Sequence, residues 1–346
     1  GTSQIPTESS GRRSRRAATV HACFASLVLL ALAACVSRPL PNVETAIPGQ
    51  PVAFGKIDVL ENGRPPKWST GAFIERTSGK FRILLIHEAT SKLIHHDLEN
   101  DGAVHWSLAP GTYLVAGFDW TRGSRNTSGR IRAYFTVPDG APAIYIGTLV
   151  LSLSSGRYGI EIRDEFDDAA AALAGKMSGF AGAPIKNLME LEKESTGGAR
   201  YIADICHTVW EVACGERYRG VEPLDPVMGQ LSFPRVDNLH PTLKWSASDK
   251  AGVGYDIILY EAIQYETANG RAALLRGPIA DYAENLPGAE YRPTHPLKPG
   301  TQYLWSVRLR KDDRISTWST YQYDHFFILG FSRANNLFFS FKTPDT

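Results

Sequence analysis

The stretch Leu297-Lys298-Pro299-Gly300-Thr301-Gln302-Tyr303-Leu304-Trp305-Ser306-Val307-Arg308-Leu309 decides the fold of the C-terminal part of this 346-residue chain. A Pro-Gly turn gives way to alternation in which Tyr303, Trp305, Val307 and Leu309 share one face, the period of two that marks a half-buried strand. The same period puts Leu243 and Trp245 on one face of an earlier segment, and Tyr255, Ile257 and Leu259 on one face of the next. Punctuated strands of this kind are expected to pack as two sheets face to face.

Moving toward the N-terminus, period two also dominates residues 52–165. Ile131, Ala133, Phe135 and Val137 alternate with Arg132, Tyr134 and Thr136, while Tyr158, Ile160 and Ile162 alternate with Gly159, Glu161 and Arg163, so each set is expected to line a core. Further strands are predicted at Ala53 to Leu60, Arg82 to His87, Val104 to Leu108, Tyr113 to Phe118 and Ala143 to Leu151. Asp101-Gly102, Pro110-Gly111 and Asp139-Gly140 supply turns between them. From Asp167 the period changes: two acidic residues followed by Ala169 to Ala172 predict a helix, and Pro184 precedes a second short helical candidate, Ile185 to Leu191. The segment 195–229 has little periodicity and reads as linker.

The C-terminal pattern Leu297, Pro299, Thr301, Tyr303, Val307 resembles the turn and following strand of fibronectin type III domains. That resemblance implies that Tyr303 forms a tyrosine corner, its ring buried and its hydroxyl bonded to backbone upstream. It also implies that Trp245 and Tyr255 are core residues of the second and third strands. Ile263 to Leu275 and Tyr321 to Asn336 depart from the family as insertions expected to enlarge loops. Asp97, Asp101, Gly102, Val104, Trp106, Leu108, Pro110, Gly111 and Tyr113 resemble the middle of a carboxypeptidase-regulatory, transthyretin-like β-sandwich. The expected fold is therefore mainly β: two immunoglobulin-like or fibronectin type III-like sandwiches joined by a short helical, disulfide-stapled linker.

The N-terminus carries a different signal. Arg12, Arg13, Arg15 and Arg16 precede an uncharged apolar run from Ala22 to Ala34, too short to span a bilayer comfortably, which needs about 20 residues. The run closes on Leu32-Ala33-Ala34-Cys35, which resembles the lipobox of bacterial lipoproteins. The resemblance implies that residues 1–34 are a signal peptide, that Cys35 is the lipid-attachment site, and that several acyl chains hold the mature protein to a membrane. Val36 stands where an inner-membrane retention signal has Asp, which points to the periplasmic face of the outer membrane. The chain opens on Gly1, so residues 1–10 are expected to reflect an upstream start or a truncation. Removing 1–34 takes four arginines and one glutamate from a chain of net charge +1 and leaves it slightly acidic. Residues 35–51, rich in Pro, Asn, Thr and Gly, are expected to be a tether. The expected organisation is then 1–34 signal, 35–51 tether, 52–165 first sandwich, 166–229 linker and 230–346 second sandwich. Cys206 and Cys214, an even pair in an oxidising compartment, are expected to form a disulfide.

Near-neutral charge supplies no field for nucleic acid. No catalytic signature is complete: His87-Glu88 begins like a zinc-binding helix, but Ser91 stands where its second histidine belongs, and no nucleotide loop or nucleophile elbow occurs. His95, His96, Asp97 and His105 are the densest set of metal-ligand types. Adjacent histidines on a strand face opposite ways, so this set is expected to be a polar hairpin tip. Asp97, Glu99 and Asp101 are expected to serve turn chemistry, because Leu108 stands where a calcium loop needs glutamate. Arg122, Arg125, Arg130 and Arg132 read as a solvated hairpin tip. Of the tryptophans, Trp68, Trp106, Trp120, Trp210 and Trp318 are core or sugar-stacking candidates. No cofactor, metal or catalytic residue is expected. The expectation is a non-enzymatic binding or scaffolding lipoprotein of the cell envelope, with an envelope protein or a glycan as partner. Its alternatives are a carbohydrate or cell-wall binding lipoprotein, and an accessory subunit or enzyme of polysaccharide or secretion machinery.

Overall fold

Two β-sandwiches account for most of the protein in the computed structural model, which describes residues 37–47, 49–66, 80–122, 125–154, 157–177, 182–192, 200–201, 205–206, 218–227, 234–267, 272–327 and 330–346. In the first, β1 (Val52–Glu61), β2 (Lys80–His87), β3 (Lys92–Asp97), β4 (Ala103–Ser107), β5 (Gly111–Arg122), β6 (Arg125–Val137), β7 (Ala143–Ser154) and β8 (Arg157–Arg163) form two sheets. One runs β3-β2-β5-β6; the other runs β7-β1-β4, with β8 also paired to β7. The alternating residues Ile131, Ala133, Phe135 and Val137 do face this core, against Phe81, Ile83 and Leu85 of β2 and Ile144, Ile146 and Leu149 of β7. Full burial of each such side chain stabilises the fold by about 1.5–3 kcal/mol. β1 and β7 run parallel and approach so closely that a Cβ on Gly55 would lie 2.3 Å from the Gly147 carbonyl oxygen, so Gly55 admits no side chain. Tyr158, expected in the core, is instead 40% exposed; only Ile160 and Ile162 of its set pack against the core.

Short segments seal the edges of this sandwich. Arg38–Pro39 pairs in parallel with β3 at Ile94 and His95, and the Leu40 N–H donates to the His95 carbonyl at 2.7 Å. Asn42 then crosses to the other sheet: its Nδ2 donates to the Ala103 carbonyl at 3.0 Å and its Oδ1 accepts the His105 N–H at 2.8 Å. The Val43 N–H donates to the His105 carbonyl at 2.8 Å. The expected tether is therefore strapped down over 38–43, because two unpaired strand edges offer its backbone partners that water would otherwise supply.

The opposite edges are sealed in the same way. α1 (Phe166–Lys176), predicted from the acidic-alanine pattern, lays Leu173 against Val52, Phe54, Ala143 and Tyr145 on the outer face of the second sheet. The second predicted helix, Ile185 to Leu191, is not formed. Ile185–Lys186 pairs with β7 and Glu190–Leu191 with β6, while the N–H of Met189 donates to Ile146 at 2.8 Å and its side chain enters the core. Edge pairing and burial of Met189 override a weak local helix preference. Among the described residues the expected linker is thus helical over 166–176 alone, and its described residues up to 192 belong structurally to the first sandwich.

In the second sandwich β9 (Leu243–Trp245), β10 (Gly254–Glu266), β11 (Ala272–Leu286), β12 (Gln302–Lys311) and β13 (Phe339–Lys342) are the main strands. One sheet has the order β11-β10-β12-β13; β9 lies between Pro223–Asp225 and Glu290–Tyr291 in the facing one. Arg314–Ile315 also pairs with β12, and Arg200–Tyr201 with Arg314–Ile315, so six strands face three in an immunoglobulin-like sandwich. Every residue that the alternation assigned inward is in one core: Leu243, Trp245, Tyr255, Ile257, Leu259, Tyr303, Trp305, Val307 and Leu309, closed by Phe339 and Phe341. The two expected loop insertions are hairpins. Ile263 to Leu275 prolongs β10 and β11, paired out to Glu266 and Ala272, and Tyr321–Phe327 pairs with Gly330–Leu337. Ile205–Cys206 pairs with Tyr218–Arg219, but Cys214 and the Cys206 side chain lie outside the described residues, as do Cys35, the segment 1–34, Trp68 and Trp210. Among the described residues no helix is long and apolar enough to cross a membrane.

Candidate functional site: the joint and the open edge

Arg132 holds the sandwiches together, and backbone geometry aims it. Opposite Ala116 of β5, two residues of β6, Ile131 and Arg132, occupy the space of one, and Arg132 sits at φ +59°. Such a bulge redirects a side chain, and the left-handed backbone of an arginine costs about 1–2 kcal/mol. What offsets this is complete use of the guanidinium. Nε donates to Glu192 Oε2 at 3.0 Å, Nη2 to Glu192 Oε1 at 2.6 Å and to the Tyr134 hydroxyl at 3.1 Å. Nη1 donates to the carbonyls of Arg276 and Gly277, both at 2.7 Å. All five N–H donors of the fork are occupied, and its plane lies 4.8 Å from the Tyr260 ring centroid. The last two acceptors belong to β11, so the first sandwich caps an edge of the second with side-chain donors in place of a strand.

The charges agree with this geometry. Burial by itself depresses the Arg132 pKa, but the paired Glu192 carboxylate outweighs it and keeps the guanidinium charged. Burial also pushes the Tyr134 phenol up, so it remains a proton donor to Glu192 Oε1 at 3.1 Å.

Beside the fork lies an apolar contact. Leu84, Ile86, Leu114 and Ala116, on the outer face of the first sandwich, pack against Tyr265 and Leu275 from the prolonged β10–β11 hairpin. Across this patch a second polar clasp closes: the Ser91 hydroxyl donates to Glu261 Oε2, and Lys298 Nζ pairs with Glu261 Oε1 at 2.5 Å. The hairpin expected to be a free insertion is therefore the arm of an internal joint.

A further buried ion cluster stiffens the second sandwich. Asp256 is fully buried and accepts Arg308 Nε at 2.7 Å, Arg310 Nε and Nη2 at 2.7 and 2.8 Å, and the Asn285 N–H at 2.9 Å. Burial would raise its pKa, but Arg310, the Asn285 amide and Arg308 hold it below the usual carboxylate range. Arg308 in turn lies 4.6 Å from the ring centroid of Trp318.

The sequence-selected candidates divide between core, turns and joint. Tyr303 is buried, and its hydroxyl accepts the Lys298 N–H at 2.8 Å, the tyrosine-corner bond; burial raises its pKa to about 12. Tyr113 of the first sandwich makes a counterpart bond, its hydroxyl donating to the Ala109 carbonyl at 3.0 Å. His95 and His96 are not a solvated tip, because the strap covers their strand: His96 is buried against Trp106 and its Nδ1 bonds the Leu40 carbonyl at 2.9 Å. Burial lowers its pKa, and that of His105. Asp97 pairs with Lys80 at 2.5 Å and Arg82 at 3.1 Å, while Asp101 accepts the Ala103 N–H at 3.0 Å within its turn. Among the described residues no three His, Cys, Asp or Glu side chains gather as a metal site.

The arginine set is likewise not a common tip. Arg122 pairs with Glu61 at 2.8 Å, Arg132 enters the joint, Arg130 is exposed, and the Arg125 side chain lies outside the described residues. Trp106 and Trp120 are core residues. Missed entirely was the edge at Pro223–Asp225: it pairs with β9 alone among the described residues, and Leu224 and Val227 beside it are 54% and 67% exposed. Two prolines and no alternation hid this strand from sequence reasoning.

No protein-family profile matches this chain, and no curated protein does. Among solved structures, the chain is similar to the FN1–FN3 domains of chicken CNTN1, at 10% identity and TM-score 0.19, covering 89% of this chain and 66% of that one. A DUF3823 family protein from Bacteroides uniformis aligns at 11% identity and TM-score 0.16, over 86% of this chain and 99% of that one. At such scores the sandwich assignment rests on the strand pairing itself.

Proposed function

We propose that this protein is a lipid-anchored, non-enzymatic scaffold of the cell envelope, carried by Cys35 on the periplasmic face of the outer membrane, that presents its two sandwiches to a partner as one rigid tandem. The observation that carries this reading is the Arg132 joint, in which a strained residue satisfies five donors and Glu192. Such a fixture serves a fixed spacing between two binding surfaces and has no counterpart in a flexible string of domains.

The partner surface we assign is the open edge at Pro223–Asp225. Among the described residues its outer side has no strand partner; Pro223 and Pro226 carry no N–H, so an extended segment of an envelope protein would be held there by the remaining backbone groups and mainly by apolar contact with Leu224 and Val227. Crosslinking in membranes followed by pull-down and mass spectrometry tests the proposal, with Leu224→Asp and Val227→Asp as paired variants. Partner recovery should fall at least tenfold while thermal unfolding stays within 1–2 °C. Undiminished recovery would remove the edge from the proposal, and turnover of a glycan or cell-wall substrate by purified protein would remove the scaffold reading. Cys35→Ser should abolish acyl labelling; labelling that persists would end the lipoprotein assignment.

A further inference from the structure

A lipidated Cys35 lies three residues before Arg38, where the chain is already paired to β3. Three extended residues reach about 10 Å. The pairing is parallel, Arg38 with Ile94 and Pro39 with His95, so the strap traced from Pro39 back to Arg38 points toward Lys92 and the turn Glu88–Ser91. At the same end lie the start of β5, since His87 pairs with Tyr113, and the end of β6, since Gly111 pairs with Val137. The Ser91–Glu261–Lys298 clasp is there too. The opposite end, at residues 98–102, is about six strand residues from Ile94, or about 20 Å, beyond the reach of the anchor.

We infer that the end of the first sandwich formed by the turns at 88–91, 108–111 and 138–142 faces the lipid headgroups, because only Val36 and Ser37 separate Cys35 from Arg38, the first residue of the strap. This rests on the lipoprotein reading above and sharpens it: a tether of 17 residues would place either end, or neither, at the bilayer, whereas the strapped chain selects one. The partner edge at Pro223–Asp225 is then carried at a fixed height set by the joint.

The test uses the mature, lipidated full chain in phosphatidylethanolamine–phosphatidylglycerol vesicles doped with a headgroup-diazirine lipid. After illumination, adducts are mapped by peptide mass spectrometry, and the acyl mass on the Cys35 peptide is read in the same digest. Adducts on 88–92 and 108–111 should exceed those on 98–102 at least tenfold. Inserting twenty Gly and Ser residues between Ser37 and Arg38 should shrink that bias below twofold. Acylated protein with adducts spread evenly, or centred on 98–102, would overturn this orientation alone, as would a bias that survives the insertion. A Cys35 peptide without acyl mass would overturn the lipoprotein reading and the orientation with it.

Discussion

The two sandwiches manage their strand edges in opposite ways. The first borrows flanking chain: 38–43 seals one pair of edges, crossing from β3 to β4, and 185–191 seals the other, crossing from β7 to β6. The second prolongs β10 and β11 into an arm that docks on its neighbour, and it leaves Pro223–Asp225 with a partner on one side only among the described residues. Exposed edges invite pairing with other chains. β8 of the first sandwich also pairs on one side only among the described residues, so what distinguishes Pro223–Asp225 is the exposed apolar pair Leu224 and Val227 beside it, and the proposed partner surface falls there.

The joint gives the largest lever on this contrast. Arg132→Ala should cost about 3–5 kcal/mol, because it strands the Glu192 carboxylate in a half-buried site and leaves the Arg276 and Gly277 carbonyls without their donors. Urea unfolding should then resolve two transitions where the wild type is expected to show one. Arg132→Lys should recover little, since an ammonium cannot supply the planar fork. A single unshifted transition in Arg132→Ala would mean that the apolar patch alone couples the sandwiches.

Next in size is the strap. Asn42→Ala removes both bonds to β4 and should cost about 2 kcal/mol, with amide exchange rising at Ala103–Ser107 and unchanged in β10 and β12. Exchange that rises equally in both sandwiches would break the distinction between borrowed and intrinsic edges. Smaller still are the two tyrosine bonds. Tyr303→Phe leaves the Lys298 N–H without its acceptor and should cost about 1 kcal/mol; Tyr113→Phe should cost a similar amount, each read as a shift in denaturation midpoint. The smallest effect is that of pH. Burial holds His96 below the ordinary histidine value of 6.5, so the unfolded chain binds a proton that the fold resists. The stability His96 confers is complete above that value and is lost as pH falls below it. Thermal scans between pH 7.5 and 5 should show this loss, and His96→Gln should reduce it.

Most of the sheet structure was legible in the sequence because burial on one face writes itself as period two. Leu243 to Trp245, Tyr255 to Leu259 and Tyr303 to Leu309 needed nothing more than that pattern. The joint was half legible. Leu84 and Ile86 share β2 with inward Ile83 and Leu85, and apolar residues on both faces of a strand announce two burials; no local pattern states what covers the outer face. Arg132 was read as solvated because its role depends on a bulge and on carbonyls 144 and 145 residues away in the chain. The segments 38–43 and 185–191 failed for a related reason. Short pieces take their conformation from the edges they meet, and composition alone reads them as tether or helix.

The strap also has a mechanical meaning. On the proposed anchoring at Cys35, thermal and osmotic tugging would reach the first residues of the fold, and the direction of that tug relative to the hydrogen bonds would set how they fail. Tension applied along the axis of Arg38–Pro39 would load the Leu40 bond to β3 in shear, while the Asn42 and Val43 bonds tie the next residues to β4 of the other sheet. Bonds loaded along a strand axis share the force in shear and yield nearly together, whereas a pull across the axis would unzip them one at a time. Fastening the entry of the chain to both sheets would therefore spread such a load over the first sandwich instead of leaving it on one bond.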